Sequence, residues 1–379
     1  DIDNGVTAKK DDNPPLKKLK TADASNDKKG GGGGIRALAP IVVEAILYIG
    51  YNLYQDVTLF VKVCRLCRLH LKKGAAEKAE VETLLEKAIL PALCLIPGNP
   101  ANSSEVWEVL RQLPYQTRFR LYGQWRQTCE GDLFPRLNAA HAEAVQETKR
   151  VLRRISKENT KQMGRALCKI SHSRPMAVMR TIIQLMENYS NLIQPVVDMF
   201  KYLTGLGYDM IAFVVIEHLA SPGRDKLKDD GKHVSSWLQS LAVFCGHLWK
   251  KYTSVELEAL IQYLVNQLKD GQILDLLVLK ELIARLCNVE ALEDVSDSVL
   301  QAFAGGETLR NESQPTTQGL TRTTKAINKG YTRLREALMP SHGKHLTFPL
   351  LILICQERSS IIINSETHHQ KLNGELYDK

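Results

Sequence analysis

The sequence predicts an all-α protein, an α-solenoid of stacked antiparallel helix pairs that follows a disordered N-terminal tail. Apolar residues recur at steps of three and four along most of the chain beyond residue 35, which is the spacing of one helix face. Short breaks rich in Gly, Pro and Ser separate these segments, and helices joined by short loops pack antiparallel. The aromatic content of 6% also favours helix-on-helix packing over a β-sandwich.

The predicted tail covers residues 1–35. It has almost no large apolar side chains and contains five consecutive glycines, Gly30–Gly34, so too little surface can be buried to offset the entropy of ordering. The segment Pro14–Lys20 has the composition of a nuclear-import signal. A solvated run of charge explains that segment equally well.

A first helical segment is predicted over residues 36–98. Its clearest apolar face contains Val57, Phe60, Cys64, Cys67 and Leu71. A core of HEAT-type helix pairs follows over residues 99–304. Its predicted helical stretches are 178–186, 192–203, 209–220, 235–252, 255–269 and 272–286. A loop over 305–319 and further helices over 320–379 complete the predicted domain organisation.

The breaks between these stretches have local physical causes. Asp270–Gly271 predicts a left-handed helix end, and Ser221–Pro222 stops a helix because proline lacks the amide donor. Thr253 with Glu256 predicts a capping box at the start of a helix. Looser joints are expected at Pro97–Ser103 and at the 305–319 loop.

Motifs of catalysis and cofactor binding are not found. Gly30–Gly34 lacks the Lys-Ser/Thr of a phosphate-binding loop, and neither a Gly-x-Ser-x-Gly elbow nor a His-Glu-x-x-His pair occurs. Cys64 and Cys67 have the spacing of a zinc pair, but no second pair follows and both lie on the apolar face. Buried core thiols are the better interpretation. We therefore expect no enzyme, no cofactor, no metal and no small-molecule substrate.

A membrane protein is also not expected. The longest uncharged apolar stretch is Met210–Ile216, whereas a membrane-spanning helix needs about 20 apolar residues. The eight cysteines are scattered rather than densely spaced, which is typical of a reduced intracellular protein and not of a small disulfide framework.

Positive charge is concentrated in one segment of this chain, whose formal net charge is +8. On a continuous helix, at about 100° per residue, eight basic residues fall on one side and apolar residues on the other. This basic stripe consists of Lys149, Arg150, Arg153, Arg154, Lys157, Lys161, Arg165 and Lys169. Such a face can follow the phosphates of a nucleic acid or bind an acidic protein.

Two alternatives to that interpretation remain open. Residues 156–160 can end one helix and begin another, which would split the stripe, and a solvated basic face needs no ligand. A second basic group with similar spacing consists of Arg322, Lys325, Lys329 and Arg333, although Gly330 weakens the helix prediction there. Aromatic residues do not interleave with either group, so any RNA contact would be attraction to the backbone.

Several long, ordered and unusual strings of this sequence identify a family. They are Leu113–Trp125, Ile155–Pro175, Ser173–Pro222, Asp229–Tyr252, Asn266–Ile283 and Ala302–Glu312. These strings resemble the THO complex subunit 2 family, and the similarity runs from about residue 36 to the end. The chain is expected to be a central piece of a longer protein.

The resemblance implies a helical scaffold, part of it similar to the MIF4G-type HEAT domain, in the nuclear THO assembly. It implies other THO subunits and a DEAD-box RNA helicase as partners, in the coupling of transcription to mRNA export. RNA contact through phosphates is an additional expectation from the basic groups. The alternatives are a direct, sequence-nonspecific RNA-binding module and a HEAT-type adaptor in another RNA pathway.

Overall fold

The structure is a computed structural model that describes residues 38–72, 78–156, 158–228, 233–287, 317–340 and 345–363, with backbone alone for 317–326 and 361–363. The predicted tail, Lys157 and most of the predicted 305–319 loop lie outside the described residues.

The regular secondary structure in the first half of the described chain is helical. Its helices are α1 (Pro40–Ile49), α2 (Val57–Leu71), α3 (Lys78–Leu84), α4 (Leu90–Leu95), α5 (Pro100–Leu110), α6 (Tyr115–Glu130), α7 (Pro135–Leu152) and α8 (Thr160–Ser171). A 3-10 segment joins α1 to α2, and a π-turn joins α3 to α4. Pro91 follows this π-turn at the start of α4, where a ring without an amide donor disturbs regular helix hydrogen bonding.

The second half continues the same architecture. Its helices are α9 (Pro175–Asn188), α10 (Ile193–Met199), α11 (Gly205–Leu219), α12 (Ser236–Lys251), α13 (Glu258–Lys269), α14 (Leu276–Cys287), α15 (Thr317–Leu338) and α16 (Thr347–Ile363). Outside the helices, the described residues contain one isolated antiparallel bridge, between Leu227 and Val234. The predicted all-α class is confirmed.

The packing of the helices is that of a solenoid. Between α7 and α14 each helix packs against the next but one: α7 on α9, α8 on α10, α9 on α11, α10 on α12, α11 on α13 and α12 on α14. Neighbours in sequence, such as α7 with α8 and α8 with α9, also pack together. Two layers of helices therefore advance side by side, which is the arrangement of stacked helical pairs.

Local sequence explains where several helices begin. Asp56 caps α2 by accepting hydrogen bonds from the amides of Thr58 (2.8 Å) and Leu59 (3.0 Å). Asn99 does the same for α5 through the amide of Ala101 at 2.9 Å. Proline occupies the first turn of α5, α7 and α9, where its missing donor has no partner to lose.

The expected joint near residue 98 is not a gap in the hydrophobic core. One continuous core cluster includes buried side chains from α1 to α16, and α2 packs on α5 across the joint. An added Cβ on Gly98 would lie 2.2 Å from the carbonyl oxygen of Lys169. The connection is therefore packed tightly against the end of α8.

The predicted breaks have mixed outcomes. Gly271 follows the C-cap Asp270 of α13 and has a φ of 73°, as the left-handed helix end requires, and α11 ends before Pro222. The capping box at Thr253 is wrong, because α13 begins at Glu258 and its N-cap is Leu257. Glu256, which would complete that box, is instead paired with Arg118.

Gly330 does not interrupt the last part of the solenoid. Helix α15 continues through it from Thr317 to Leu338. Because α15 begins at Thr317, residues 317–319 of the predicted loop are helical. At Gly330 the helix lies against the backbone of Leu286, where a Cβ would come within 2.1 Å of the carbonyl oxygen. The glycine therefore allows α15 to approach α14 closely, which offsets its poor helix propensity.

Candidate interaction surface

A buried ion-pair cluster fixes the position of three elements. Arg118 of α6 donates from Nε to Asp209 Oδ2 at 2.8 Å and from Nη2 to Oδ1 at 3.0 Å. The hydroxyl of Tyr122 donates to Asp209 Oδ2 at 2.7 Å, and Arg118 also pairs with Glu256. Helix α6, helix α11 and the connection before α13 are thereby joined. Burial raises the pKa of Tyr122 well above its usual range, so this hydroxyl stays a donor.

A second cluster holds the connection between α11 and α12. The two terminal nitrogens of Arg224 donate to the two carboxylate oxygens of Glu187, each at 3.0 Å, and His218 Nδ1 lies 3.1 Å from Glu187 Oε1. The Arg224 guanidinium lies over the half-buried Trp237 ring, 4.2 Å from its centroid. The indole nitrogen of Trp237 donates to the carbonyl of Asp225 at 3.0 Å. These contacts keep the connection close to α9 and α12.

The pH dependence of the protein's stability should show how much the ionised Glu187 of this second cluster stabilises the fold. Burial acts to raise the pKa of Glu187, but hydrogen bonds from His218 and Arg224 outweigh burial and lower it. A carboxylate with a lowered folded pKa stabilises the protein above its unfolded pKa, and this stabilisation is lost as pH falls through the folded pKa. We expect the urea midpoint to fall between pH 7 and about pH 3.5, and Glu187→Gln to reduce that fall.

The matched control for this measurement is Glu44→Gln. Glu44 is exposed on α1 and has no ion-pair partner among the described residues. Its replacement should leave the pH dependence of the urea midpoint as it is in the unmodified chain. Equal pH profiles for all three proteins would contradict a stabilising role for the Glu187 carboxylate.

The basic stripe is split between two helices. Lys149 and Arg150 lie in the last turn of α7, Arg153 is its C-cap, and Arg154 follows. Helix α7 ends at Leu152, and Lys161, Arg165 and Lys169 follow one ridge of the next helix, α8, at steps of four. Lys157 lies outside the described residues. Of the two alternatives that the sequence left open, the structure therefore shows a helix break, held by a hydrogen bond of 2.7 Å from Asn159 Nδ2 to the carbonyl of Arg154.

The described members of the stripe are exposed cations. They are Lys149, Arg150, Arg153, Arg154, Lys161, Arg165 and Lys169. None of these seven has an ion-pair partner among the residues that the structure describes, whereas arginines elsewhere, such as Arg65 and Arg174, are paired with glutamates. Lys149 and Arg150 also complement the negative end of the α7 dipole. Arg165 lies 5.4 Å from the ring centroid of Tyr202.

The second basic group has mixed environments. The Arg333 side chain is half-buried and donates to the carbonyl oxygens of Trp249 and Val255, so this residue fastens α15 to the end of α12. Burial lowers its pKa to about 10. Lys329 is exposed, and the side chains of Arg322 and Lys325 lie outside the described residues. Sequence reasoning missed Lys250 and Arg285, which share a cavity of about 210 Å³ with Lys329 and Arg333.

The candidate metal ligands occupy different environments. Cys64 and Cys67 are fully buried in the core, as predicted, and burial raises the pKa of Cys67 to about 12. The sequence also clusters histidines at 342 and 345 and at 368 and 369, in polar stretches whose spacing matches no ligand set. Of these, His345 is exposed, and the other three lie outside the described part. Within the described ranges, the structure places no three His, Cys, Asp or Glu side chains where they can hold a metal ion. A search of the same residues finds no helix with the length and hydropathy needed to cross a bilayer.

A groove of about 650 Å³ lies beside the ends of α7 and α9. Lys149 and Arg153 line one part of it, and Tyr189, whose side chain is 55% exposed, lines another. The sequence identified the two cations but not the groove. Lys149 and Arg153 are 40 and 36 positions from Tyr189 in the sequence, and no local pattern reports their proximity.

The chain is similar in sequence to members of one known protein family. The family model of the THO complex subunit 2 N-terminus matches residues 35–165, and that of the transcription- and export-related complex subunit matches residues 167–242. THO complex subunit 2 of Arabidopsis thaliana is 44% identical over 360 residues, which cover 89% of this chain and 20% of that protein. The Homo sapiens protein of the same name is 38% identical over 352 residues, covering 89% and 22%. The Saccharomyces cerevisiae protein is 26% identical over 268 residues, covering 69% and 17%.

The fold by itself is that of a helical-repeat interaction protein. A two-layer helical solenoid with exposed, unpaired charge is typical of proteins that present extended surfaces to partners. The similarities narrow this class: the chain belongs to the THO complex subunit 2 family. It spans about a fifth of the length of the Arabidopsis and human relatives.

Proposed function

We propose that the chain is a non-catalytic scaffold segment of the nuclear THO complex. In this role it organises other THO subunits and a DEAD-box RNA helicase for messenger-ribonucleoprotein assembly and mRNA export. The observation that carries this proposal is the match of two consecutive family models across the helical core, over residues 35–165 and 167–242. A solenoid supports it physically, because stacked helix pairs present a long surface on which several partners can bind at once.

The buried charges also favour a structural role over catalysis. Perturbed ionisable groups are often catalytic, but structural ion pairs perturb pKa values as well. Here the most buried carboxylates among the described residues are engaged by basic side chains: Asp209 by Arg118, Glu187 by Arg224, and Asp275 by Lys226. Each of these pairs joins separate elements of the solenoid.

Affinity capture tests the scaffold role. The 379-residue chain is immobilised, incubated with nuclear extract with and without nuclease, and the recovered proteins are identified by mass spectrometry against bait-free resin. We expect THO subunits and a DEAD-box helicase that remain bound after nuclease treatment. Recovery of translation or splicing factors alone would place the chain in another pathway and overturn the proposal.

Direct RNA binding is the second candidate function, favoured by one specific observation. Seven exposed cations of the basic stripe have no carboxylate partner among the described residues. Unpaired cations attract phosphates, and binding then releases condensed counterions from the RNA. Such binding would be sequence-nonspecific, since the described stripe has no row of stacking aromatic rings.

The salt dependence of RNA affinity tests this second function. Reversal of Arg153 and Arg154 to glutamate should weaken binding of a single-stranded oligonucleotide and flatten the plot of log affinity against log salt. Each lost phosphate contact should reduce the slope by about 0.7. Reversal of Lys62 and Lys280, which are exposed outside the stripe, is the matched control. An affinity equally insensitive to salt and to both reversals would exclude the RNA-binding function.

A further inference from the structure

The groove between the ends of α7 and α9 has an apolar floor. Leu152 is buried at the end of α7, and Leu185 and Leu192 are partly exposed on the α9 side. Ile155, which follows α7, is also partly exposed. Apolar side chains that remain accessible in a concave site gain free energy when a partner removes them from water. The floor therefore suits aliphatic or aromatic side chains of a partner.

The charge around this floor is of one sign. Lys149 and Arg153 lie one helical turn apart and both line the groove. The described lining contains no carboxylate, and neither cation has an ion-pair partner among the described residues. The partner that best complements this surface carries negative charge next to its apolar residues.

Polar groups at the rim provide hydrogen bonds without charge. Gln184, Asn188 and Asn191 line the groove, and their amides can donate to and accept from a peptide backbone. Tyr189 is 55% exposed and adds the one aromatic ring of the described lining. A row of rings is the usual platform for single-stranded RNA. One ring above an aliphatic floor favours a peptide instead.

We propose that this groove binds an acidic peptide segment of a protein partner. Leucine-type side chains of the segment pack on the floor, and its carboxylates pair with Lys149 and Arg153. The volume of about 650 Å³ is sufficient for several side chains. The inference rests on the proposed scaffold role, since it names the class of partner that this part of the scaffold binds.

Fluorescence anisotropy with a labelled peptide tests the groove directly. The probe is a peptide of about 15 residues with leucines at helical spacing and glutamates between them, added to the 379-residue chain. The double variant Lys149→Glu/Arg153→Glu should bind the probe about tenfold more weakly or worse. A probe with serine in place of leucine should also lose affinity, because the floor contacts are then missing.

Two further variants separate the groove from general electrostatic attraction. Arg165→Glu/Lys169→Glu makes the same change in net charge at exposed positions of α8 that do not line the groove, and should change affinity by less than about twofold. Asn188→Trp fills the groove from an exposed position without changing the charge, and should abolish binding. Circular dichroism and melting temperature verify that each variant is folded.

Specific outcomes overturn the inference. Equal losses for the two charge-reversal variants, or full affinity in Asn188→Trp, would show that the probe does not occupy the groove. Binding of a uridine-rich oligonucleotide that Asn188→Trp abolishes and the peptide cannot displace would assign the groove to RNA.

The capture experiment distinguishes failure of this inference from failure of the scaffold role. If Asn188→Trp recovers every THO subunit from extract and also still binds the peptide probe, the groove inference fails and the scaffold role stands. If the unmodified chain captures no THO subunit but still binds the peptide in the groove, the scaffold proposal fails and the peptide-binding site stands.

Discussion

Replacing Asp209 with alanine is expected to lower the free energy of unfolding by about 3–5 kcal/mol. Asp209 is 4% exposed and accepts hydrogen bonds from Arg118 and Tyr122. Without it, Glu256 and the carbonyl of Leu113 are the hydrogen-bond partners left to the buried Arg118 guanidinium among the described residues. Urea unfolding followed by circular dichroism measures the loss.

A double replacement provides the control for this prediction. Arg118→Met/Asp209→Leu removes both charges and fills the site with apolar side chains, and such exchanges are often neutral or stabilising. The double variant should therefore be more stable than Asp209→Ala alone, although it contains more changes. A double variant no more stable than Asp209→Ala would contradict the view that an unpaired buried cation causes the destabilisation.

The same cluster connects the two matched family segments. Arg118 lies in the segment over 35–165 and Asp209 in the segment over 167–242. The boundary between the segments falls inside α8, Thr160–Ser171, and the hydrophobic core is continuous across it. The two family models therefore describe consecutive parts of one solenoid, and loss of the ion pair should weaken both parts together.

Much of this fold could be predicted from local patterns. Apolar periodicity located the central helices, because each helix buries one face and the period of that face is visible in the sequence. Gly271 and Pro222 marked helix ends for reasons that act within a few residues. Cys64 and Cys67 were recognised as core residues because they continue the face of Phe60. Val57 was predicted on the same face, but it is exposed at the first residue of α2.

Features that depend on distant partners could not be predicted. Thr253 and Glu256 match a capping box, but Glu256 pairs with Arg118, which is 138 positions away. Arg333 matched a cationic face, and its position above the carbonyl of Trp249 follows only from the packing of α15. The split of the basic stripe was left open, because residues 156–160 contain signals for both a helix end and a helix start.

Replacing Gly330 with alanine should destabilise the protein by about 1–3 kcal/mol through overpacking. The new methyl group would lie 2.1 Å from the carbonyl oxygen of Leu286 and 2.9 Å from its carbonyl carbon, and backbone atoms cannot move aside as a flexible side chain can. Helix α15 must then shift away from α14. Gly123→Ala is the matched control, since a Cβ on Gly123 in α6 meets nothing within 4 Å.

The control should change stability in the opposite direction, by about 0.5–1 kcal/mol, because alanine loses less backbone entropy than glycine in a helix. Equal stabilisation by both variants would contradict a close contact at Gly330. Hydrogen exchange then locates the effect. Because α15 packs on α14 and the added methyl group would meet Leu286 of α14, Gly330→Ala should reduce protection in α15, in α14 and at the end of α12, where Arg333 binds the carbonyl of Trp249. Helices α6 and α11 should keep their protection, because the ion pair of Arg118 with Asp209 holds them independently of α15.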